Sequence, residues 1–129
     1  MKLPISGKRL QLRILEERDR APFIELRRQS ESFLKPWEPK PTPGVDPYSP
    51  ELFKLLLDRA NSDLYRLLVL EKTDESEILG LISFGQIIRG AFQNAHLGYW
   101  IGEPFARQGY MKEALRLALG YALLCFPGM

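Results

Sequence analysis

The sequence predicts an α+β domain in which helices flank a mostly antiparallel sheet. Residues 9–15 alternate apolar and polar side chains, which is the period of a half-buried strand. Two apolar runs, 64–72 and 78–89, lie on either side of a short polar segment, as expected of an antiparallel hairpin. After Gly109, apolar residues recur at helical spacing to the end of the chain.

Composition limits the kind of protein. With 129 residues and 45% hydrophobic residues, the chain fits one globular domain, 1–129. Its net charge of +2 comes without a run of like charges, so neither a nucleic acid nor a membrane is expected as a partner. Cys125 is the single cysteine, which excludes an internal disulfide and supplies no metal-ligand set. Since no signal peptide or membrane-length apolar run is found, we expect a cytoplasmic protein.

The first strand, 9–15, carries polar Arg9, Gln11 and Arg13 between its apolar residues. Asp19 follows it in a position to cap a helix, and the helical spacing of apolar residues predicts that this helix continues to about Leu34.

A proline-rich segment, 35–49, comes next and can sustain neither a helix nor a central strand. Ser49 and Pro50 then provide a cap and a helix-start proline, so a second helix is expected to run to near Asn61.

The hairpin strands follow, and Gly80 and Gly85 mark expected bends or bulges in the second of them. Residues 95–101 form a further strand, which leads into the last helix. The predicted order is therefore strand, helix, long loop, helix, three antiparallel strands, helix.

The junction between this last strand and the last helix has the composition of an anion site. Helix N-termini present unpaired amides and the positive end of the helix dipole. Gly109 lacks the Cβ that would keep a phosphate away from those amides, so the junction predicts a phosphorylated ligand. The same glycine also fits a tight turn that binds nothing.

Three segments carry a resemblance to a known family: Phe33-Leu-Lys-Pro-Trp-Glu-Pro39, Leu79-Gly80 and the run from Gly98 to Leu115. Through them the chain resembles acetyl-CoA-dependent N-acetyltransferases of the GNAT superfamily, specifically the RimJ/RimL-like branch that acetylates ribosomal-protein alanine. The likeness covers nearly the whole chain. It implies a three-layer fold, acetyl-CoA as acetyl donor without a metal, and a protein or peptide N-terminal amine as acceptor.

In that family the last helix seen here is followed by a strand, a helix and two more strands. The resemblance therefore implies an incomplete domain that lacks the C-terminal strand-helix-strand-strand part. The sheet edge left open would then be available for self-association.

The resemblance also implies the coenzyme site. Ala106-Arg-Gln-Gly-Tyr-Met111 stands where the family pattern reads Gln/Arg-x-x-Gly-x-Gly/Ala. Only Gly109 matches strictly, since Ala106 and Met111 depart from the pattern. The implied phosphate-binding residues contribute main-chain amides and are Arg107, Gln108, Gly109, Tyr110 and Met111. The Arg107 side chain either adds a phosphate contact or is a solvated surface arginine.

Trp100 and Ile101, with Tyr99, would line the strand along which the pantetheine arm of the coenzyme pairs, and an amide there would stabilise the developing oxyanion. Neighbouring side chains of a strand point to opposite faces, so we also expect one of Tyr99 and Trp100 to pack in the core.

Glu103 is the candidate general base, with His96 as a weaker alternative; both also fit solvated surface residues. On the acceptor side the resemblance points to Trp37 and Glu38, although Trp37 also fits an apolar lid over the core. The family's serine or tyrosine acid for the leaving group has no counterpart in the chain.

Two functions remain. The chain is an N-acetyltransferase acting on a ribosomal-protein N-terminus, another peptide amine or a small-molecule amine, or it is a non-catalytic coenzyme-A-binding or interaction module with an open sheet edge.

Overall fold

The computed structural model describes residues 3–34, 46, 48–62, 64–73, 76–88 and 94–125. In chain order the elements are β1 (Ile5–Ser6), β2 (Leu10–Ile14), α1 (Arg20–Gln29), α2 (Glu31–Leu34), α3 (Pro50–Arg59), β3 (Arg66–Lys72), β4 (Ile78–Ile88), β5 (Asn94–Ile101) and α4 (Tyr110–Cys125). The described helices include none that is both long and apolar enough to span a membrane.

The strands form one sheet in the order β1-β2-β3-β4-β5, and every neighbouring pair is antiparallel. The predicted hairpin and the following strand are confirmed as β3, β4 and β5. The β3–β4 register shifts beside Gly80, and the β4–β5 register shifts after Gly85, so both glycines lie at the predicted irregularities.

Helices cover both faces of the sheet. One face packs against α4 in a core that includes Leu12, Leu70 and Ile82. The opposite face packs against α1 and α3, with Phe23 and Phe53 in its core. This arrangement confirms the predicted antiparallel sheet between helices.

The start of α3 follows the sequence signals. Ser49 has an extended backbone, and its hydroxyl accepts a hydrogen bond of 3.1 Å from the amide of Leu52, while Pro50 is the first helical residue. The helix ends at Arg59, near the predicted limit.

The predicted capping role of Asp19 is wrong. Its side chain caps no amide of α1. One carboxylate oxygen instead accepts a hydrogen bond of 2.8 Å from the Glu16 amide, and both oxygens bind the Arg13 guanidinium. The predicted single helix to Leu34 is also interrupted, because Ser30 separates α1 from α2.

Two features of the first strand were not predicted. The short strand β1 pairs with β2 through Ile5 and Leu12, and two residues are too few to give a period. Arg13, predicted on a polar face, is only 7% exposed. Since helices cover both faces of the sheet, the polar side of β2 is buried as well.

Candidate functional site

The outer edge of β5 is open in the described part of the chain, where β4 is its only partner strand. The Gly102 amide donates to the Leu79 carbonyl at 2.8 Å, so the peptide groups of Gly102 face β4. Hydrogen-bonding direction alternates along an antiparallel strand. The N–H and C=O groups of Ile101 and Tyr99 therefore face the open edge, whereas those of Trp100 face β4.

The segment between β5 and α4 is held by α1. A Cβ on Gly102 would lie 2.4 Å from Leu26 Cδ1, so Leu26 packs directly against this backbone. A 3₁₀ turn, Glu103–Phe105, follows, and its first amide donates to the hydroxyl of fully buried Ser30 at 2.9 Å. These contacts fix where the turn toward α4 begins.

Two residues of that turn have left-handed backbone conformations. Arg107 has φ 63°, and Gly109 has φ 82°, immediately before α4 begins at Tyr110. L-residues pay a steric cost in this region and glycine does not, which explains the glycine at 109.

The main-chain amides of residues 107–112 find no acceptor among the described residues. The first amide that does is that of Glu113, which donates to the Gly109 carbonyl at 3.2 Å. Arg107, Gln108 and Gly109 are exposed. A row of unpaired amides at the start of a long helix is favourable for an anion.

Arg9, which sequence reasoning did not select, lies beside this turn. Its Nη1 donates to the Gln108 carbonyl at 2.8 Å, and its Nε donates to Glu113 at 3.1 Å. No sequence signal identifies it, because Arg9 looks like an ordinary polar residue of the predicted strand 9–15.

The surroundings of Glu113 favour the charged form of its carboxylate. Burial alone would raise its pKa, but the hydrogen bonds from the backbone and side chain of Arg9 outweigh that effect, and the pKa lies below its usual value.

The structure separates the two aromatic residues of β5. Trp100 is half-buried. Its ring lies edge-on to the Phe23 ring with 5.6 Å between the centroids, and the guanidinium carbon of Arg27 lies 4.9 Å from the Trp100 centroid. Tyr99 is 56% exposed. The prediction that one of them packs in the core is confirmed.

The remaining candidates differ in position. Ile101 and Met111 are half-buried beside the α4 core, and Tyr110 is buried below Arg9, whose guanidinium carbon lies 4.3 Å from its ring centroid. Glu103 and His96 have exposed side chains at opposite ends of β5.

Trp37 and Glu38 lie outside the described residues. Within the described ranges, His, Cys, Asp and Glu side chains form no cluster suited to a metal ion.

Residues 9–126 match the acetyltransferase (GNAT) domain family. The chain belongs to this family. It is 32% identical over 126 residues to the [ribosomal protein uS5]-alanine N-acetyltransferase of Escherichia coli (strain K12). The alignment covers 93% of this chain and 63% of the relative. A probable N-acetyltransferase, YjcK of Bacillus subtilis (strain 168), is 42% identical over 48 residues, which are 37% of this chain and 26% of that one.

Two solved structures share the fold. The ribosomal-protein-S5-alanine acetyltransferase from Vibrio fischeri superposes with a TM-score of 0.82 at 22% identity, covering 96% of this chain and 69% of that one. Mycobacterium smegmatis RimJ in complex with CoA-disulfide gives a TM-score of 0.77 at 24% identity, covering 94% and 63%. The chain thus spans 63% of the length of its E. coli relative.

Proposed function

We propose that this GNAT chain binds acetyl-CoA, with the diphosphate on the main-chain amides around Gly109. The observation that carries the proposal is the run of unpaired amides at residues 107–112. The group fits because Gly109 has no side chain and residues 107–109 are exposed, so a phosphate can approach the backbone. The contributing residues are Arg107, Gln108, Gly109, Tyr110 and Met111.

The pantetheine arm would pair with the open edge of β5. Ile101 and Tyr99 direct their peptide groups toward that edge, whereas Trp100 supports the strand through its packing on Phe23. Such an extended ligand would continue the antiparallel ladder and satisfy peptide groups that otherwise bond to water.

The proposed reaction transfers an acetyl group to a primary amine: the amine nitrogen would bond to the acetyl carbon as the carbon–sulfur bond of the thioester breaks, and the coenzyme thiolate would leave. Acetyl-CoA supplies the acetyl group as an activated thioester. An amide at the β5 edge would stabilise negative charge on the acetyl oxygen. The amine must be neutral to attack, and Glu103, just beyond β5, is the proposed acceptor of its proton.

The proposed acceptor is a protein N-terminal amine, such as that of a ribosomal protein. The support is the likeness, at 32% identity, to the [ribosomal protein uS5]-alanine N-acetyltransferase of E. coli. Trp37 and Glu38 remain the proposed acceptor contacts, and the cytoplasm is the location that such a substrate implies.

Coenzyme binding is tested by calorimetric titration of acetyl-CoA into the 129-residue chain and into Gly109→Val. We expect the variant to lose at least about tenfold in affinity, because a branched side chain with φ near 82° strains the turn and its Cβ would lie 3.2 Å from Arg9 Nη2. Gly85→Val, a matched change in β4, should bind like the wild type. Equal affinities for wild type and Gly109→Val would refute the proposed phosphate turn.

Acetyl transfer is tested by mass spectrometry on peptides that begin with alanine and contain one internal lysine. Acetyl on the N-terminal amine supports the proposed acceptor, and acetyl on the lysine side chain alone contradicts it. Glu103→Gln should slow the transfer most at low pH, where little neutral amine is present.

One observation favours the alternative of a non-catalytic coenzyme-A-binding or self-associating module. Leu97 and Tyr99 on the open edge strand are 42% and 56% exposed. Exposed apolar residues on a strand edge promote pairing with another chain. Sedimentation of the wild type and of Tyr99→Lys distinguishes the enzyme from the module. The module is supported if the wild type is a dimer that Tyr99→Lys converts to a monomer, and if the wild type transfers no acetyl group.

A further inference from the structure

Arg9 connects the start of the sheet to the turn before α4. Its side chain is 43% exposed, and its guanidinium stacks over the Tyr110 ring with 4.3 Å between the guanidinium carbon and the ring centroid. Nη1 donates to the Gln108 carbonyl at 2.8 Å, and Nε donates to Glu113 Oε1 at 3.1 Å. The planar fork of the guanidinium makes both bonds at once.

The bond to Gln108 determines which way the next amide points. In a trans peptide the C=O and the following N–H point in opposite directions. Because the Gln108 carbonyl is turned toward Arg9, the Gly109 N–H is turned away from it. Arg9 Nη2 lies 3.2 Å from where a Cβ on Gly109 would be, so the guanidinium occupies one side of this glycine.

Glu113 holds Arg9 in place from the first turns of α4. Its Oε2 accepts a bond of 3.0 Å from the Arg9 amide, in addition to the side-chain contact. A Cβ at Gly7 would lie 2.7 Å from this oxygen, so Gly7 leaves the room that Glu113 needs. The main chain and side chain of Arg9 are thus both tied to one carboxylate.

We propose that Arg9 is a positioning residue for phosphate binding: it orients the Gln108–Gly109 peptide so that the Gly109 amide faces the ligand. This inference rests on the proposed function. It adds a residue from the N-terminal part of the chain to a site that otherwise belongs to the β5–α4 junction.

The test compares coenzyme A with pantetheine, which lacks the diphosphate, in calorimetric titrations of Arg9→Met. We expect coenzyme A to bind about tenfold more weakly than to wild type, while pantetheine affinity changes less than about twofold. A general structural defect would weaken both ligands. Arg116→Met, which removes an exposed arginine further along α4, serves as the matched control and should bind both like the wild type.

Arg9→Lys separates position from charge. A lysine keeps the positive charge but lacks the planar fork, so it cannot bind Gln108 and Glu113 as arginine does. We expect it to bind coenzyme A within about threefold of Arg9→Met. Full recovery of affinity in Arg9→Lys would overturn the positioning role, as would unchanged affinity in Arg9→Met.

A measurement on the ligand-free protein keeps this inference separate from the proposed function. The ¹H–¹⁵N heteronuclear NOE of the Gly109 amide should fall in Arg9→Met and stay at the wild-type value in Arg116→Met. If the wild-type chain binds no coenzyme A, the proposed function fails, and this NOE still decides whether Arg9 orders the turn. An unchanged NOE in Arg9→Met overturns the inference.

Discussion

Arg13 and Arg9, two arginines close together in the sequence, have opposite environments in the folded chain. The Arg13 side chain lies within β2 and is 8% exposed, whereas the Arg9 side chain, just before β2, is 43% exposed. Each binds a glutamate and one further acceptor from another part of the chain. What differs is how completely the donors are used.

Every donor group of Arg13 is engaged. Nη1 and Nη2 bind the two carboxylate oxygens of Asp19 at 2.8 and 2.7 Å, and Nε and Nη2 bind Glu71 at 3.1 and 2.8 Å. Gln11 donates to the second oxygen of Glu71 at 2.6 Å. The hydrogen bonds that Arg13 donates to Asp19 and Glu71 raise its pKa, despite the opposing effect of burial, and those that Glu71 accepts from Arg13 and Gln11 lower the pKa of Glu71.

The Arg13 cluster therefore joins β2, β3 and the start of α1 and leaves nothing for a ligand. Among the described residues, no buried side-chain nitrogen or oxygen lacks a partner. Arg9 also joins distant elements, but it does so at the surface and beside unpaired amides. The saturated buried cluster of Arg13 indicates a structural role, whereas the exposed Arg9 keeps a guanidinium nitrogen that donates no hydrogen bond to the described residues, as its proposed role in binding requires.

The largest expected effect is that of Arg13→Met on stability. The substitution leaves the Asp19 and Glu71 carboxylates buried without their cation, which typically costs about 3 to 5 kcal/mol. Urea titration of the wild type and the variant gives the difference in free energy of unfolding, with Arg116→Met as the control. A loss below about 1 kcal/mol would remove the contrast between the two arginines.

The next effect is the dependence of stability on pH through Glu71. Its pKa is lower in the folded chain than its ordinary value of 4.5, so the folded state is favoured above that pH. This contribution disappears as the pH falls through the lowered pKa. We expect the free energy of unfolding to fall over this acidic range, because the hydrogen bonds from Arg13 and Gln11 favour the charged carboxylate.

Urea titrations at several acidic pH values check this expectation. Glu71→Gln should lose less stability than the wild type as the pH falls. Glu113→Gln, at the more exposed arginine, should change the pH profile in the same direction by a smaller amount. A larger change in Glu113→Gln than in Glu71→Gln would show that the exposed Arg9–Glu113 pair contributes more to stability than the buried Arg13–Glu71 pair.

Gly109→Ala tests the turn beside Arg9. A Cβ at φ 82° costs about 1 to 2 kcal/mol, because L-residues are strained in the left-handed region. Gly85→Ala is the control without a left-handed backbone. Equal unfolding free energies for the two variants would mean that the turn relaxes freely and is not held by Arg9.

The smallest expected effect is that of Arg9→Met on stability, below about 1 kcal/mol, since exposed ion pairs contribute little. Its unfolding midpoint in urea should lie close to that of Arg116→Met. Combined with a tenfold loss of coenzyme A affinity, this result would separate binding from folding. A loss comparable to that of Arg13→Met would make Arg9 a structural residue as well.

Much of the fold was accessible from local patterns. The hairpin, the strand before Gly109 and the start of α3 at Ser49 all depend on residues close in sequence, and all are observed. The junction at Gly109 was also recognisable, because the need for a left-handed turn and a helix start is local. The capping role predicted for Asp19 was wrong, because a capping aspartate and an aspartate in an ion pair look the same in the local sequence.

Periodicity and turn chemistry were enough to establish the class of fold, the strand and helix order and the glycine turn, since these depend on neighbours along the chain. The burial of Arg13 and the approach of Arg9 to Gln108 and Glu113 emerged only from the folded chain. Arg9 and its partners are separated by 99 and 104 residues, and Arg13 and Glu71 by 58. Contacts over such separations depend on how the sheet and its two helical layers pack, which no local pattern encodes.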